Sequence, residues 1–405
     1  MDTNRRAYIV AAGRLPLMPC SRPPAPHLGF GAQKGAYHDV TPLTMATHCV
    51  GGVAGRLPGF DPKAVKGILW ACANPVGPQN FTGRTIANVL GWKTAFGSMT
   101  NQLCASGMRV QIDAVNFLSS PLFASDTEPQ IYVAGGVEKM SEVRLANIFL
   151  RDYTHDAHQA LGAGAMAMGV TAEATAKRFG LTRDDVDAWS LIENERARRA
   201  IQEGWFKEEI VPIAAGGTTY DNDALPAELT PALLAQGKLY FDAKNGILTQ
   251  YGSSQMTDGA AAVFFCNEAA LKEFKWQPLA QFVGAAIGTA PAELMGEGLI
   301  DAYEQYVAKT GLTHEQFVER YQVQEHNTAF ASIPLALMKK FGVPKEVVNV
   351  AGGATALGHP LGSTGARLTV TGIHLMIRFG KKLGLANMCV GEGQGGLGAF
   401  ENLRM

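Results

Sequence analysis

The feature that most restricts this chain is a succession of short apolar runs separated by segments of helical period: AYIVAA from residue 7, GILWACA from 67, QIYVAGG from 130, AAAVFFC from 260, YQVQEHN from 321, VVNVAGG from 347 and NMCVGEG from 387. Several end in glycine or another small residue. Alternation of this kind is the pattern of parallel strands joined by crossover helices, an α/β fold. Open α/β sheets bind ligands beyond the carboxyl ends of their strands, so function is expected where these runs close. The chain has 405 residues, 47% of them hydrophobic, enough for two packed domains or one duplicated unit. From about 135 to 256 the texture changes. RDDVDAWSLIENERARRAIQEG reads as a charged amphipathic helix amid Gly-, Ala- and Met-rich surroundings, as in an insertion lying over the sheets.

Charge narrows the partner. Lys plus Arg (35) nearly balance Asp plus Glu (36), with no run of like sign, so neither nucleic acid nor an anionic membrane surface is expected and a small molecule is. No segment approaches the roughly 18 uninterrupted apolar residues of a membrane span, and a cytoplasmic location is expected, bacterial cytosol or an organelle matrix included. The six cysteines, Cys20, Cys49, Cys72, Cys104, Cys266 and Cys389, form no C-x-x-C pair. They fit neither a zinc site nor a dense disulfide framework, so no metal is called for and reduced thiols are expected.

Three glycine-rich constellations can carry chemistry. In NQLCASGMRV, Cys104 stands between an extended approach and a helix with Met108, Ile112, Val115 and Leu118 at helical spacing. At a helix mouth the macrodipole and unpaired N–H groups favour a thiolate, and Ala105, Ser106 and Gly107 leave room for a substrate. In NVAGGATALGHPLGSTGARLTVTG, residues 349–372, glycines crowd around His359 and Pro360, and the following helix is expected to be capped by Ser363 or Thr364. In CVGEGQGGLGAF, from 389, an apolar strand delivers Cys389 into a tight turn. QEHNTAFAS adds His326 and Asn327 at another strand end. Two cysteines and a histidine make a set of nucleophile, base and second acid or base, with glycine N–H groups available for an oxyanion.

Three motifs, Asn101-x-x-Cys104-x-Ser106-Gly107, Gly358-His359-Pro360 with Gly362-x-x-Gly365, and Cys389-x-Gly391-x-Gly393, resemble those of the thiolases, which make or cleave 3-ketoacyl-coenzyme A. Weaker likenesses are VAGGVEKMS at 133–141, AMGVTAEATAKRFG at 167–180, SSQMTDGAAAV at 253–263 and PAELMGEGL at 291–299. The resemblance implies the thiolase fold: two duplicated βαβαβαββ halves in a layered αβαβα arrangement. One half would span 1–134 plus 257–277, an inserted loop domain for coenzyme A and acyl binding 135–256, and the other half 278–405. It implies a CoA-dependent acyltransferase in which Cys104 carries the acyl group, His359 accepts the Cys104 proton, and Cys389 exchanges the α-proton. Asn327 would hold a water at the enolate oxygen, and the N–H groups of Cys104 and Gly391 would form an oxyanion hole. Ser254, Met168 and Met295 would line the coenzyme A or acyl site. No tightly bound cofactor is implied, coenzyme A and acyl-CoA being substrates. A homodimer or homotetramer is expected, as is a hydratase/dehydrogenase partner in a β-oxidation complex.

Three positions depart from the family pattern: Thr328 stands where Glu is usual after Asn327, Ala167 where His precedes Met-Gly, and Gly252 where Asn is usual before Ser254. These losses are expected to widen the acyl pocket. The rival readings are a related condensing enzyme, against which Cys389 argues, and a non-catalytic acyl-CoA binder or scaffold.

Overall fold

The computed structural model describes residues 6–20, 35–143 and 167–405, so 144–166 of the expected insertion lie outside the described residues. Its strands are β1 (Tyr8–Arg14), β2 (Met18–Pro19), β3 (Val65–Ala71), β4 (Phe96–Thr100), β5 (Ile131–Lys139), β6 (Ile213–Ala215), β7 (Thr218–Tyr220), β8 (Thr257–Cys266), β9 (Ala280–Thr289), β10 (Tyr321–His326), β11 (Leu383–Val390) and β12 (Gln394–Asn402). The main sheet runs β4-β3-β5-β8-β1 and continues β9-β12-β11-β10, with β2 on β8. The seam between β1 and β9 is two residue pairs wide, Tyr8 with Gln281 and Ile9 with Ala280.

Counting strands within each half exposes a duplication. The first half has its first to fifth strands in the spatial order third, second, fourth, fifth, first. The second half repeats that order, its third position being Val348, which bridges Gln324 in parallel. Directions repeat too: β3 is parallel to β4 and β5, and β10 to β11, whereas β8 and β12 run antiparallel to both of their main-sheet neighbours. The last two strands of the expected βαβαβαββ unit are adjacent and antiparallel in the second half, where a three-residue turn joins β11 to β12. VVNVAGG is not a strand. Asn349 has φ +47° and its side chain, rather than its backbone, pairs with the His326 N–H.

The layers follow from burial. β5 and β8 are buried along their whole length, so both of their faces are covered. One cover is the helix Pro42–Ala54, against β1, β5 and β8, and the helix Glu297–Thr310 does the same for β9, β11 and β12. Between the two half-sheets lie the helices Ser106–Ser119 and Thr364–Arg378, which pack on each other. Glycine permits their approach: a Cβ at Gly365 would stand 2.2 Å from the Met108 nitrogen, and one at Gly107 2.8 Å from the Ala366 nitrogen. The Gln111 amide bridges the crossing by donating to the carbonyls of Gly107 and Gly365. The resulting order, helix, sheet, helix, sheet, helix, is the layering expected.

The segment between β5 and β8 contributes the helices Met168–Arg178 and Arg183–Gln202 and the β6–β7 hairpin. Thr182 and Asp185 form a capping box at the start of the longer helix. Arg196 on that helix donates to the carbonyls of Val348 and Lys345, fastening it to the second half.

Candidate active site

Cys104 is presented by a strained turn. After β4 the Asn101 carboxamide accepts from the Leu103 N–H at 3.0 Å and donates to the Ala73 carbonyl at 3.1 Å. The Ser106 hydroxyl accepts from the Gln102 N–H at 2.8 Å and donates to the Leu103 carbonyl at 2.6 Å. Those bonds hold Leu103 at φ +48°, a conformation that costs a β-carbon residue about 1–3 kcal/mol. The chain then tightens through Leu103–Ala105 and becomes α-helical at Ser106, leaving Cys104 half-exposed beside the positive end of the helix.

His359 arrives from the other half. Gly358 precedes it at φ +101°, where a Cβ would collide with the Thr257 hydroxyl at 2.1 Å. The imidazole is buried, with Nε2 3.2 Å from the Cys104 Sγ and 3.3 Å from the Asn327 Nδ2. On its other edge Nδ1 is 2.6 Å from the Thr364 hydroxyl, which donates its single hydrogen to the Pro360 carbonyl at 3.0 Å. Thr364 must therefore accept from Nδ1–H, and the lone pair of the neutral ring is at Nε2, facing the thiol. Burial, and then the charge of Arg367, hold the His359 pKa down at about 3. The expected cap is corrected here: neither Ser363 nor Thr364 caps the helix, since both hydroxyls turn back to Pro360.

Cys389 lies at the end of β11, buried, and burial together with nearby Cys104 lifts its thiol well above the ordinary value. Asn327 follows β10, its N–H donating to the Asn387 carbonyl at 2.8 Å, and its Oδ1 is buried with no partner among the described residues. Gly391, in the β11–β12 turn, sits so close to the nucleophile's turn that a Cβ would be 2.8 Å from Leu103 Cδ1 and 3.2 Å from Met168 Sδ. Ser254 donates its N–H to the Ala329 carbonyl at 2.9 Å, and the next residue, Gln255, accepts from the His359 N–H at 3.4 Å. Ser254 thus runs between the segments that carry Asn327 and His359. Met295 is elsewhere, 2% exposed in the apolar cluster with Ala172, Leu299 and Ile333.

Two scaffold roles were not read from the sequence. Thr364 fixes the imidazole, and Glu138, buried at the end of β5, accepts from the N–H groups of Ala73, Asn74 and Gly362. Burial raises the Glu138 pKa, those donors opposing it. A Glu-Lys pair closing an otherwise uncharged strand was the available signal. The expected widening at Gly252 is not found, because a Cβ there would meet Val186 at 2.6 Å: the insertion's helix occupies that space.

A thiol at a helix mouth, an imidazole whose free lone pair faces it and a second thiol within electrostatic reach define a cysteine-dependent acyl-transfer site on a duplicated α/β fold. Residues 25–269 match the family model described as the N-terminal domain of thiolase and residues 276–401 that of its C-terminal domain, and the chain belongs to the thiolase family of acyltransferases. It is 33% identical over 386 residues to a 3-ketoacyl-CoA thiolase of Bacillus subtilis, covering 91% of this chain and 95% of that one. With a 3-ketoacyl-CoA thiolase of Vibrio vulnificus it is 34% identical over 397 residues, 95% and 98% of the two chains. Among solved structures, the dimeric peroxisomal thiolase of Saccharomyces cerevisiae superposes with TM-score 0.84 at 26% identity over 99% of this chain and 98% of that one. The human mitochondrial 3-ketoacyl-CoA thiolase in complex with CoA gives 0.82 at 25% identity, with 98% of each chain covered.

Proposed function

We propose that the chain catalyses the reversible thiolysis of 3-ketoacyl-CoA to acyl-CoA and acetyl-CoA. The observation that carries this reading is the 3.2 Å approach of the Cys104 sulfur to the unprotonated Nε2 of His359, with Cys389 nearby. Cys104 gives its proton to His359 and its thiolate attacks the keto carbon, the oxyanion resting on the N–H groups of Cys104 and Gly391. Collapse breaks the bond between keto carbon and α-carbon. The α-carbon takes a proton from Cys389, whose raised pKa suits it to be the acid, and acetyl-CoA leaves. Coenzyme A then gives its thiol proton to Cys389 and attacks the acyl-cysteine, releasing acyl-CoA, while Cys104 recovers its proton from His359. During carbanion formation His359 and a water on the unpartnered Oδ1 of Asn327 stabilise the enolate oxygen.

Coenzyme A is in this reading a substrate rather than a resident cofactor, and Met168 and Ser254, around the mouth of the site, contact it or the acyl chain; Met295 acts through the packing beneath. The 135–256 segment is the binding domain on the two halves, 1–134 with 257–277 and 278–405. The working assembly is a homodimer, supported by the open outer edge of β4 and by the dimeric yeast relative. A hydratase/dehydrogenase partner would supply the ketoacyl substrate. Working thiols call for a reducing compartment such as the cytosol; among the described residues no helix is long and apolar enough to cross a membrane. The test is incubation with acetoacetyl-CoA and coenzyme A while following the ketoacyl absorbance. Turnover with a Cys104 acyl adduct is expected, and absence of both would return the protein to the acyl-CoA binders.

A further inference from the structure

The helix Arg183–Gln202 buries Val186, Trp189, Ser190, Glu193, Asn194, Ala197 and Ala200, so that Glu193 is the one charged residue on its buried face. Glu193 is fully buried and every contact made to it is a donor. Its Oε1 receives the Trp189 indole N–H at 3.0 Å, the Asn349 amide at 2.8 Å and the Thr328 hydroxyl, and its Oε2 receives the Thr355 hydroxyl. Asn349 also donates to the Thr328 hydroxyl oxygen at 2.9 Å, and the Thr328 hydroxyl lies closer to Glu193 than to its other acceptor, the His326 carbonyl at 3.4 Å. Gly353 completes the enclosure, since a Cβ there would fall 1.9 Å from Oε1.

Two of these donors belong to separate segments that carry the chemistry. Thr328 directly follows Asn327, and Thr355 lies four residues before His359 in the glycine-rich turn. A buried anion with a full set of donors is a strong cross-link, whereas the same donors without it would be buried and unpaired. We propose that Glu193, on the inserted segment, is a positioning residue that locks the Asn327 strand end to the His359 turn and so sets the Asn327–His359 geometry at the reacting carbon. The carboxylate that the family pattern carries at position 328 is in this chain delivered from 135 residues upstream. Burial raises the Glu193 pKa, and its four donors oppose the rise.

This assignment rests on the acyl-transfer reading above. The experiment compares Thr328→Val, Thr328→Ser, Glu193→Gln and Glu193→Ala with wild type in steady-state thiolysis of acetoacetyl-CoA, in iodoacetamide alkylation of Cys104 and in thermal melting. Thr328→Val should lower kcat tenfold or more with KM within twofold, and Thr328→Ser, which keeps the hydroxyl, should stay within threefold of wild type. Glu193→Gln, which retains an oxygen for the Oε1 donors, should fall between wild type and Glu193→Ala. If Thr328→Val and Glu193→Gln keep kcat within twofold, or if Thr328→Ser is as impaired as Thr328→Val, the proposal is overturned whether or not Glu193→Ala folds. A wild type that alkylates at Cys104 without cleaving acetoacetyl-CoA would sink the functional reading alone. In that case at least fivefold slower alkylation of folded Glu193→Gln would support the lock through the His359 turn, and an unchanged rate would refute it.

Discussion

Thr364→Val removes one hydrogen-bonding atom that touches no substrate, yet it should impair the first chemical step. In the native site Nδ1–H is satisfied by the Thr364 oxygen at 2.6 Å, which leaves Nε2 as the proton acceptor. With valine, that tautomer keeps a buried N–H without a partner, at a cost of about 1–3 kcal/mol, the lower end applying if a water fills the gap. The alternative tautomer, protonated at Nε2, escapes this cost but cannot take the Cys104 proton. The penalty therefore falls on the reactive form, and 1–3 kcal/mol corresponds to roughly 5- to 150-fold. Acetoacetyl-CoA thiolysis should lose kcat by that factor with little change in KM, and alkylation of Cys104 by iodoacetamide should slow in parallel. Thr364→Ser should remain near wild type. If Thr364→Val keeps kcat within twofold, or if Thr364→Ser is equally impaired, the tautomer argument is wrong.

Cys389→Ala should still form an acyl adduct on Cys104 from acetyl-CoA, seen by mass spectrometry, while thiolysis falls 10²-fold or more for want of the acid; Cys104→Ser should form no thioester adduct. Gly365→Ala must push its helix off the Met108 nitrogen, only 2.2 Å from the new Cβ, and should lower stability by about 1–3 kcal/mol or more in denaturant unfolding; an unchanged midpoint would deny the close crossing. Ala167→His should narrow the substrate range toward short 3-ketoacyl-CoA, and identical chain-length profiles for variant and wild type would count against a pocket widened there. Burial lowers His326 and His359 to about 3, so below pH 6.5 the unfolded chain takes up two protons that the folded one refuses, and stability falls with falling pH. Glu325, raised to about 8, opposes with one proton between pH 4.5 and 8. Removing one group isolates its share: His326→Gln should lose less stability than wild type as pH falls below 6.5, and parallel unfolding profiles for the two would refute the shift at His326.

The sequence displayed the residues that react more clearly than the frame that holds them. Cys104, His359, Asn327 and Cys389 stand at element ends, His359 directly after Gly358 at φ +101° and Cys389 four residues before Gly393 at φ +79°, and such positions are readable one at a time. β9 was missed for a reason of packing. AQFVGAAIGT lacks bulky alternation because the helix Glu297–Thr310 lies directly against it: a Cβ at Gly288 would be 2.2 Å from the Gly298 carbonyl oxygen, and one at Gly284 2.5 Å from Tyr306. A strand thinned for a helix looks like a loop. Thr364 was read as a helix cap because hydroxyls at that place usually are caps, and its commitment to His359 depends on a turn whose shape local propensity does not encode. Glu193 left a trace, a carboxylate at a buried position of an amphipathic helix, but its partners outside that helix are 135 to 162 residues away.

Duplication explains why the site assembles at all. The helices Ser106–Ser119 and Thr364–Arg378 occupy the same place in their respective halves, each following the third strand position, and the nucleophile and its base are delivered by the turns that enter them. Packing the two helices at Gly107 and Gly365 therefore does more than close the core: it brings the two turns face to face, which is how Cys104 meets His359 across 255 residues of chain. The remaining equivalent places have diverged. The end of the fourth strand in the second half presents Cys389, whereas its counterpart in the first half presents Glu138, which accepts from Ala73 and Asn74 beyond the second strand and from Gly362 in the turn after His359. One half thus keeps a reacting group where the other keeps a clamp.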